Sequence, residues 1–408
     1  MERVEMPNQF INTQLVSNTA LAMFANNAPF VMTGSRIYQD DFNNSGYKIG
    51  DTLQVRRQNN FVVGDGSTAV PQSIIETVEN ITVAHQYHAL IAYTISDLSL
   101  RIEDFSRLFI QPAIQNIISQ MENDICRAAE QTLYFFTGTA GTPINSFATV
   151  DLAGAKLLEQ GVNISSDAYL AMTVRDGSSL KSALLNNFTP VFNEDIVRQS
   201  AIGHLSYFDI FQSQNIVSHT AGAGPRLYQA DTLLINGAVS SGSTLVMDGA
   251  TISITDYFLP GDLISVSGVQ SVNPLSRQST GQNMQFLVTA AASSDGAGNI
   301  TVSVSPTIIS DTSSPLQNVS NAIPNNAVVT MVTTHNVNVA YPSRALDIVC
   351  PPLYKLQVPY ASVAIDPETG LSLAVTQTGD ILGYQNYMRL DILCGFAWHP
   401  QYATVLLS

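Results

Sequence analysis

Charge is scarce in this chain. Only 12% of its 408 residues are Asp, Glu, Lys or Arg, while 45% are hydrophobic. A free monomer with so few charges is poorly soluble, and charge is depleted where protein surfaces cover one another. Much of the surface is therefore expected to be covered by copies of the same chain. Basic residues are the scarcer sign: 17 Lys and Arg stand against 32 Asp and Glu, a net charge of −15 with a pI near 4.6. Arg56-Arg57 is the only adjacent basic pair. Sequence-independent binding of nucleic acid needs clustered cations to neutralise phosphates, so the chain is not expected to bind that way.

Cysteine is also sparse. Cys126, Cys350 and Cys394 are far apart, with no CxxC, which supports neither a disulfide framework nor a zinc site and fits a reducing cytoplasm. No apolar run approaches the ~20 residues of a membrane helix. The opening MERVEMPNQF has no basic stretch followed by an apolar one, so no signal peptide is expected. Phosphate-cradling and nucleophile-elbow glycine motifs are missing too. His85 and His88 stand three apart in a strand-like run, which puts them on opposite faces and rules out joint metal ligation. His204, His219, His335 and His399 are solitary in sequence and read as surface or packing residues. Glu103-Asp104 and Glu194-Asp195 lie near expected helix starts, where acids meet the helix dipole favourably. No catalytic residue, metal or cofactor is expected.

What the chain does contain is a sequence of distinct segments. Residues 1–30 offer a short helical stripe, Leu15, Thr19, Ala22 and Met23, between Pro7 and Pro29. From Gly50 to Leu100 the pattern reads as a long two-armed hairpin with its tip at Gly64-Asp65-Gly66-Ser67. Ile81 to Ile95 forms the returning arm. Its arms hold few large residues, so it must rest on something else. Residues 102–136 form the strongest helix, with Ile102, Phe105, Leu108, Phe109, Ile114, Ile117, Ile118, Met121, Ile125 and Leu133 at helical spacing. Pro112 kinks it or starts its second part, and Gly138 and Gly141 end it. Helices follow at 152–159 and 177–185, the second capped by Asp176, with a strand at 168–174 between them.

Residues 222–334 change character. They contain no Glu and no Lys, and Val, Ile, Thr, Ser and Gly dominate. Asp248-Gly249, Pro260-Gly261-Asp262 and Asp295-Gly296 mark turns, the first and last as hairpins. The segment reads as an inserted all-β module, a small barrel. The last stretch, Ser362 to Leu407, alternates through Leu371, Leu373 and Val375 and again through Leu390, Ile392 and Leu393, as strands do.

The ordered set resembles the coat proteins of short-tailed, double-stranded-DNA phages. The carriers are FSRLFIQPAIQNIISQMENDICRAAE as a spine helix, IGHLSYFDIFQSQNI at Ile202–Ile216, and YFLPGDLISVSGV at the start of the inserted β-module. The strand Arg389–Gly395 and the short final strand complete the set. The resemblance implies an α+β, Hong Kong 97-like major capsid fold with a spine helix, an extended β-hairpin loop and an inserted barrel (I-domain). It divides the chain into an N-terminal arm, 1–30, and a peripheral domain, 31–49 with 87–138 and 361–396. An extended loop follows at 50–86, then an axial domain, 139–221 with 335–360 and 397–408, and the barrel, 222–334.

The implied function is an icosahedral shell that assembles as a precursor and expands as DNA is packaged. The implied partners are the chain itself in hexamers and pentamers, a scaffolding protein, a portal and the packaged double-stranded DNA, without sequence-specific binding. There is room for a decoration protein and no membrane. The implied location is the virion capsid, assembled in the host bacterial cytoplasm. Phe61, Val62, Val63 and Asp65, beside the loop tip, are the candidate intersubunit contacts. The alternatives are an encapsulin-like compartment shell and a secreted β-rich surface protein.

Some shells of this fold join subunits through a Lys in the extended loop. This chain has no Lys between Gly50 and Leu100, so assembly is expected to be non-covalent. Mature particles boiled in detergent should run as single chains near 44.0 kDa, with or without reductant. A ladder of multimers that survives reduction would contradict this.

Overall fold

The structure, a computed structural model, describes residues 13–38, 50, 52–56, 59–63, 71, 78–93, 106–164, 167–185, 203–353, 360–366, 370–380 and 385–408. The chain divides into two compact units. One comprises Met1–Gln54, Asn80–Ile125 and Asp347–Ala397, the other Val55–Glu79, Cys126–Leu346 and Trp398–Ser408. The hairpin tip, Glu103-Asp104, Glu194-Asp195 and Ile95 to Phe105 lie outside the described residues.

In the first unit, helix Thr13–Asn27 packs on strands Tyr360–Ile365 and Ser372–Asp380. It buries Val16, Ala20, Leu21 and Phe24, a face rotated from the expected stripe, in which Ala22 is exposed. The Ser17 and Ser362 hydroxyls meet at 2.9 Å across this contact. Pro29 does not merely stop the helix. It opens a second, short one, Pro29–Thr33, at the position where its missing N–H costs nothing. The buried Glu122 carboxylate accepts from the Phe30 N–H of that helix at 3.3 Å.

The sheet of this unit runs Leu346–Val349, Gln385–Trp398, Ser372–Asp380, Tyr360–Ile365, with His85–Tyr93 also paired to the long strand. The expected returning arm is thus two strands, not one. Thr52–Arg56 pairs with Val78–Thr82, whereas His85–Tyr93 joins the larger sheet in register from His85↔Cys394 to Tyr93↔Asn386. The break is a tight turn in which the Ala84 N–H bonds the Thr82 carbonyl at 3.1 Å.

The long helix spans Gln111–Thr132, preceded by a π-helical turn at Ser106–Ile110. Pro112 stands at its start, where the ring is tolerated. Ile114, Ile117, Ile118, Met121, Ile125 and Ala129 are buried at helical spacing. Leu108 is 54% exposed instead, because the wider π turn breaks the period before the α-helix begins. The helix ends at Thr132, before either glycine. Phe136–Gly138 is already a strand, parallel to the last strand, Thr404–Leu407.

The second unit holds a mixed sheet in the order Phe136–Gly138, Thr404–Leu407, His335–Pro342, Ala168–Met172, Phe208–Gln212, His204–Leu205. Helices Phe147–Glu159 and Val174–Leu184 accompany it, burying Val150, Leu157, Leu180 and Leu184 in one core with Leu170, Met172, Phe208 and Leu406. Thr173, not Asp176, caps the second helix, its hydroxyl accepting from the Asp176 N–H at 3.2 Å. Asp176 lies in the first turn and is buried. Its carboxylate accepts from the hydroxyls of Thr173 (2.6 Å) and Ser408 (2.7 Å) and from the Asn338 amide (3.1 Å). Those bonds satisfy a group whose burial would otherwise be costly.

The inserted segment is a closed six-stranded barrel. Around it run Ser241–Asp248, Ile300–Ile309, Ser279–Val288, Leu263–Val272, Val328–Met331 and Leu233–Ile235, which pairs back to the first. Alternating residues point inward, as in Ile300, Val302 and Val304, and Tyr257, Phe258 and Phe286 fill the interior with them. Asp248-Gly249 is not a hairpin. The strand before it pairs with Leu233–Ile235 and Ile300–Ile309, and Gly249, at φ 86°, carries the chain past the Thr232 carbonyl, 2.3 Å from where a Cβ would stand. Asp295-Gly296 does lie between consecutive antiparallel strands, Ser279–Val288 and Ile300–Ile309, and a further hairpin joins Leu263–Val272 to Ser279–Val288. Its turn is shaped by the Asn273 side chain, which accepts from the N–H groups of Leu275 and Ser276. Asn273-Pro274 was its sequence signal.

A closed barrel with its own core should fold without the rest. Residues 222–334 expressed alone should give dispersed amide signals and one cooperative melt. Phe286→Ala should cost about 3–5 kcal/mol. A collapsed spectrum, or an unchanged melting point in the variant, would contradict this.

Candidate functional site

Two places stand out: the exposed apolar run before the expected loop tip, and the junction that holds the barrel. Residues 59–63 are extended and outside any strand. Phe61 is 55% exposed and Val63 is 89% exposed, with Val62 half-buried between them. Large exposed apolar side chains such as Phe61 and Val63 gain when another surface covers them. Asp65 lies outside the described residues.

At the junction the chain enters and leaves the barrel side by side. Ser218–His219 pairs antiparallel with the start of His335–Pro342, His335 opposite His219. The Ala221 N–H donates to the Thr334 hydroxyl at 3.2 Å. Between these strands His219 is not solitary. Its Nδ1 lies 2.7 Å from Glu130 Oε1 and its Nε2 lies 2.8 Å from Asp262 Oδ1. Two carboxylates facing the two ring nitrogens require both to carry protons, so the ring is an imidazolium that donates twice. Glu130 belongs to the last turn of the long helix, and Asp262 immediately precedes a barrel strand. One side chain therefore ties helix, entry strand and barrel together. Asp262 is fully buried and also accepts from the Leu259 N–H at 2.7 Å and the Gly222 N–H at 3.2 Å. Gly261, at φ 98°, turns the chain so closely that a Cβ would stand 2.9 Å from the His219 ring.

Burial works against charge on His219, but the hydrogen bonds to Asp262 and Glu130 outweigh it and push its pKa up to about 9. The His335 ring, 5.3 Å away, behaves oppositely. Burial pushes it down to about 4, its bond to the Thr333 carbonyl opposes that, and the charge on His219 adds to it. Three other histidines also have side-chain partners. His399 Nδ1 meets Glu79 at 2.7 Å and His204 Nδ1 meets Asp209 at 2.9 Å. His85 stacks between Tyr87 and Phe396, on the face opposite to His88. These pairings join residues up to 320 positions apart, beyond the reach of local pattern. Among the described residues, no group of three or more His, Cys, Asp or Glu could hold a metal ion. None of the helices there is long and apolar enough to cross a membrane.

A family model described as "P22 coat protein - gene protein 5" matches residues 63–405. No curated protein sequence matches. Among solved structures, one from Mycobacterium phage Che8 is similar at 10% identity and a TM-score of 0.47, over 92% of this chain and 89% of that one. The capsid of Ralstonia phage GP4 is similar at 7% identity and a TM-score of 0.41, over 86% and 80%. The CUS-3 coat protein I-domain is similar at 21% identity and a TM-score of 0.19, over 25% of this chain and 95% of that one. At these scores the structural likenesses carry no argument; the family match does.

The two histidines at the junction give it a pH optimum. His219 has a folded pKa of about 9 against an ordinary 6.5, so its contribution is complete below pH 6.5 and lost as pH rises through 9. His335 has a folded pKa of about 4 against 6.5, so its contribution is complete above pH 6.5 and lost as pH falls toward 4. Urea melts of the chain should show greatest stability near pH 6.5. His219→Ala, which strands buried Asp262, should cost about 3–5 kcal/mol and flatten the alkaline limb. His335→Asn should flatten the acid limb. A wild-type stability constant from pH 5 to 9 would contradict the assignment.

Proposed function

The chain belongs to the P22 coat protein family, and on that footing we propose how this major capsid protein does its work. It is a shell subunit that associates with itself, and its place is the virion capsid. The match over residues 63–405 carries the reading. The sparse charge supports it, because a subunit walled in by neighbours has little water-facing surface to solvate.

Within that role, subunits assemble in the host cytoplasm around a scaffolding protein and with a portal. They close by head-to-tail contacts into hexamers and pentamers, and the shell expands when double-stranded DNA enters. The subunit performs no reaction. Its net charge of −15 repels the phosphate backbone overall, so the genome is contained rather than gripped. Each contact is modest, and the shell persists because a subunit leaves only when all its contacts break together.

The Phe61, Val62 and Val63 segment, with Asp65 beside it, is one such contact, lying on a neighbouring subunit. Replacing Phe61 and Val63 together by Asp should leave a soluble, folded chain that no longer closes shells, read as loss of the fast-sedimenting particle peak. Neither residue is buried, so the monomer should keep its melting point. Shells at normal yield would show that this segment is not an intersubunit contact.

A further inference from the structure

A pair of thiols lies apart from both the apolar segment and the barrel junction. Cys350 follows strand Leu346–Val349 and Cys394 lies in Gln385–Trp398, its neighbour in the five-stranded sheet. Forty-four positions apart in sequence, they read there as unpaired. In the folded chain their sulfurs are 3.5 Å apart, and both residues are buried, at 1% and 0% exposure. Two further observations mark the pair. Ser372 Oγ donates to the carbonyls of Cys350 and Pro351 at 3.1 and 2.9 Å, fixing the backbone that carries Cys350. The Arg36 guanidinium is near enough for its charge to act on both sulfurs, but the contact with Cys350 and burial outweigh it and hold the Cys394 thiol well above its ordinary range, so it is proximity rather than acidity that singles out the pair.

We propose that Cys350 and Cys394 are an oxidation site that closes to an intrachain disulfide when the particle meets a peroxide outside a reducing cell. The sulfurs need to approach by about 1.5 Å to reach bonding distance. The thiolate of one cysteine attacks a peroxide oxygen, the O–O bond breaks, and a sulfenic acid and hydroxide form. The other thiol then attacks that sulfur, the S–O bond breaks, the S–S bond forms and water leaves. Two thiols and one hydrogen peroxide give one disulfide and two waters, the two electrons passing from sulfur to oxygen. Inside a cell with a reducing thiol pool the pair stays open. The bond would close the chain from 350 to 394, which carries strands Tyr360–Ile365 and Ser372–Asp380, into a loop. It adds a covalent tie inside each subunit and none between subunits, so particles would still dissociate to single chains. Only the setting of the oxidation rests on the shell reading; the chemistry can be tested on the chain in any assembly state.

The test uses the purified full-length chain, both assembled and unassembled, treated with hydrogen peroxide. It is then quenched with catalase, denatured in N-ethylmaleimide and mapped after trypsin. The expected product takes up one alkyl group instead of three. It links the peptide Ala345–Lys355 to Leu390–Ser408, leaves Cys126 as the alkylated thiol, and regains three alkyl groups after reduction. The urea midpoint of the oxidised wild type should rise. In C394S the linked peptide and the rise should both vanish, while C126S keeps both. Three alkylated cysteines after peroxide, a link through Cys126, or sulfinic acid without a cross-link would each overturn the proposal. Because the wild-type map alone decides, poor folding of C394S leaves the test intact. If the linked peptide forms in chains that never make shells, the disulfide stands and the shell reading fails separately.

Discussion

A buried imidazolium between two carboxylates holds the inserted barrel to the domain that carries it. Without the proton on each His219 nitrogen, Glu130 and Asp262 would face one another across an apolar junction, and like charges there repel strongly. With both protons in place, the end of the long helix, the strand entering the barrel and the turn before barrel strand Leu263–Val272 are fixed to one ring. The antiparallel pairing of residues 218–219 with 335–336 then brings the barrel's two ends together. A domain whose ends meet this way can be inserted without disturbing its host sheet, and the barrel's own core makes it self-supporting.

The same economy of charge runs through the molecule. Three buried acids are met by donors held in the fold rather than by surface cations: Asp176 by two hydroxyls and an amide, Glu122 by the N–H of Phe30, Asp262 by His219 and two backbone N–H groups; buried Asp391 pairs instead with the exposed Arg389. A chain with so few Lys and Arg has little else to offer its acids. For a shell subunit this is coherent, since charge is depleted where surfaces cover one another. What such surfaces lose in long-range attraction they regain through the number of contacts made at once.

Much of this was legible in the sequence wherever it depended on local pattern. The long helix followed from its apolar period, the barrel from the loss of Glu and Lys, and the C-terminal strands from alternation. The failures are equally physical. Leu108 was misplaced because a π turn shifts the period, and Asp248-Gly249 was misread because a strand exit and a hairpin share the same residues. The exposure of Phe61 and Val63 was readable because an apolar run next to turn-forming residues in the sequence is a local signal. The His219 junction and the Cys350–Cys394 pair were not, since each joins residues from distant segments that only the fold brings within bonding distance.

The central claim is that this chain builds closed shells from copies of itself. Negative-stain imaging of the purified protein under assembly conditions tests it most directly. The account predicts closed, hollow particles of uniform diameter. A field of dispersed monomers with no closed particle, from protein that is folded by its melt, would contradict it.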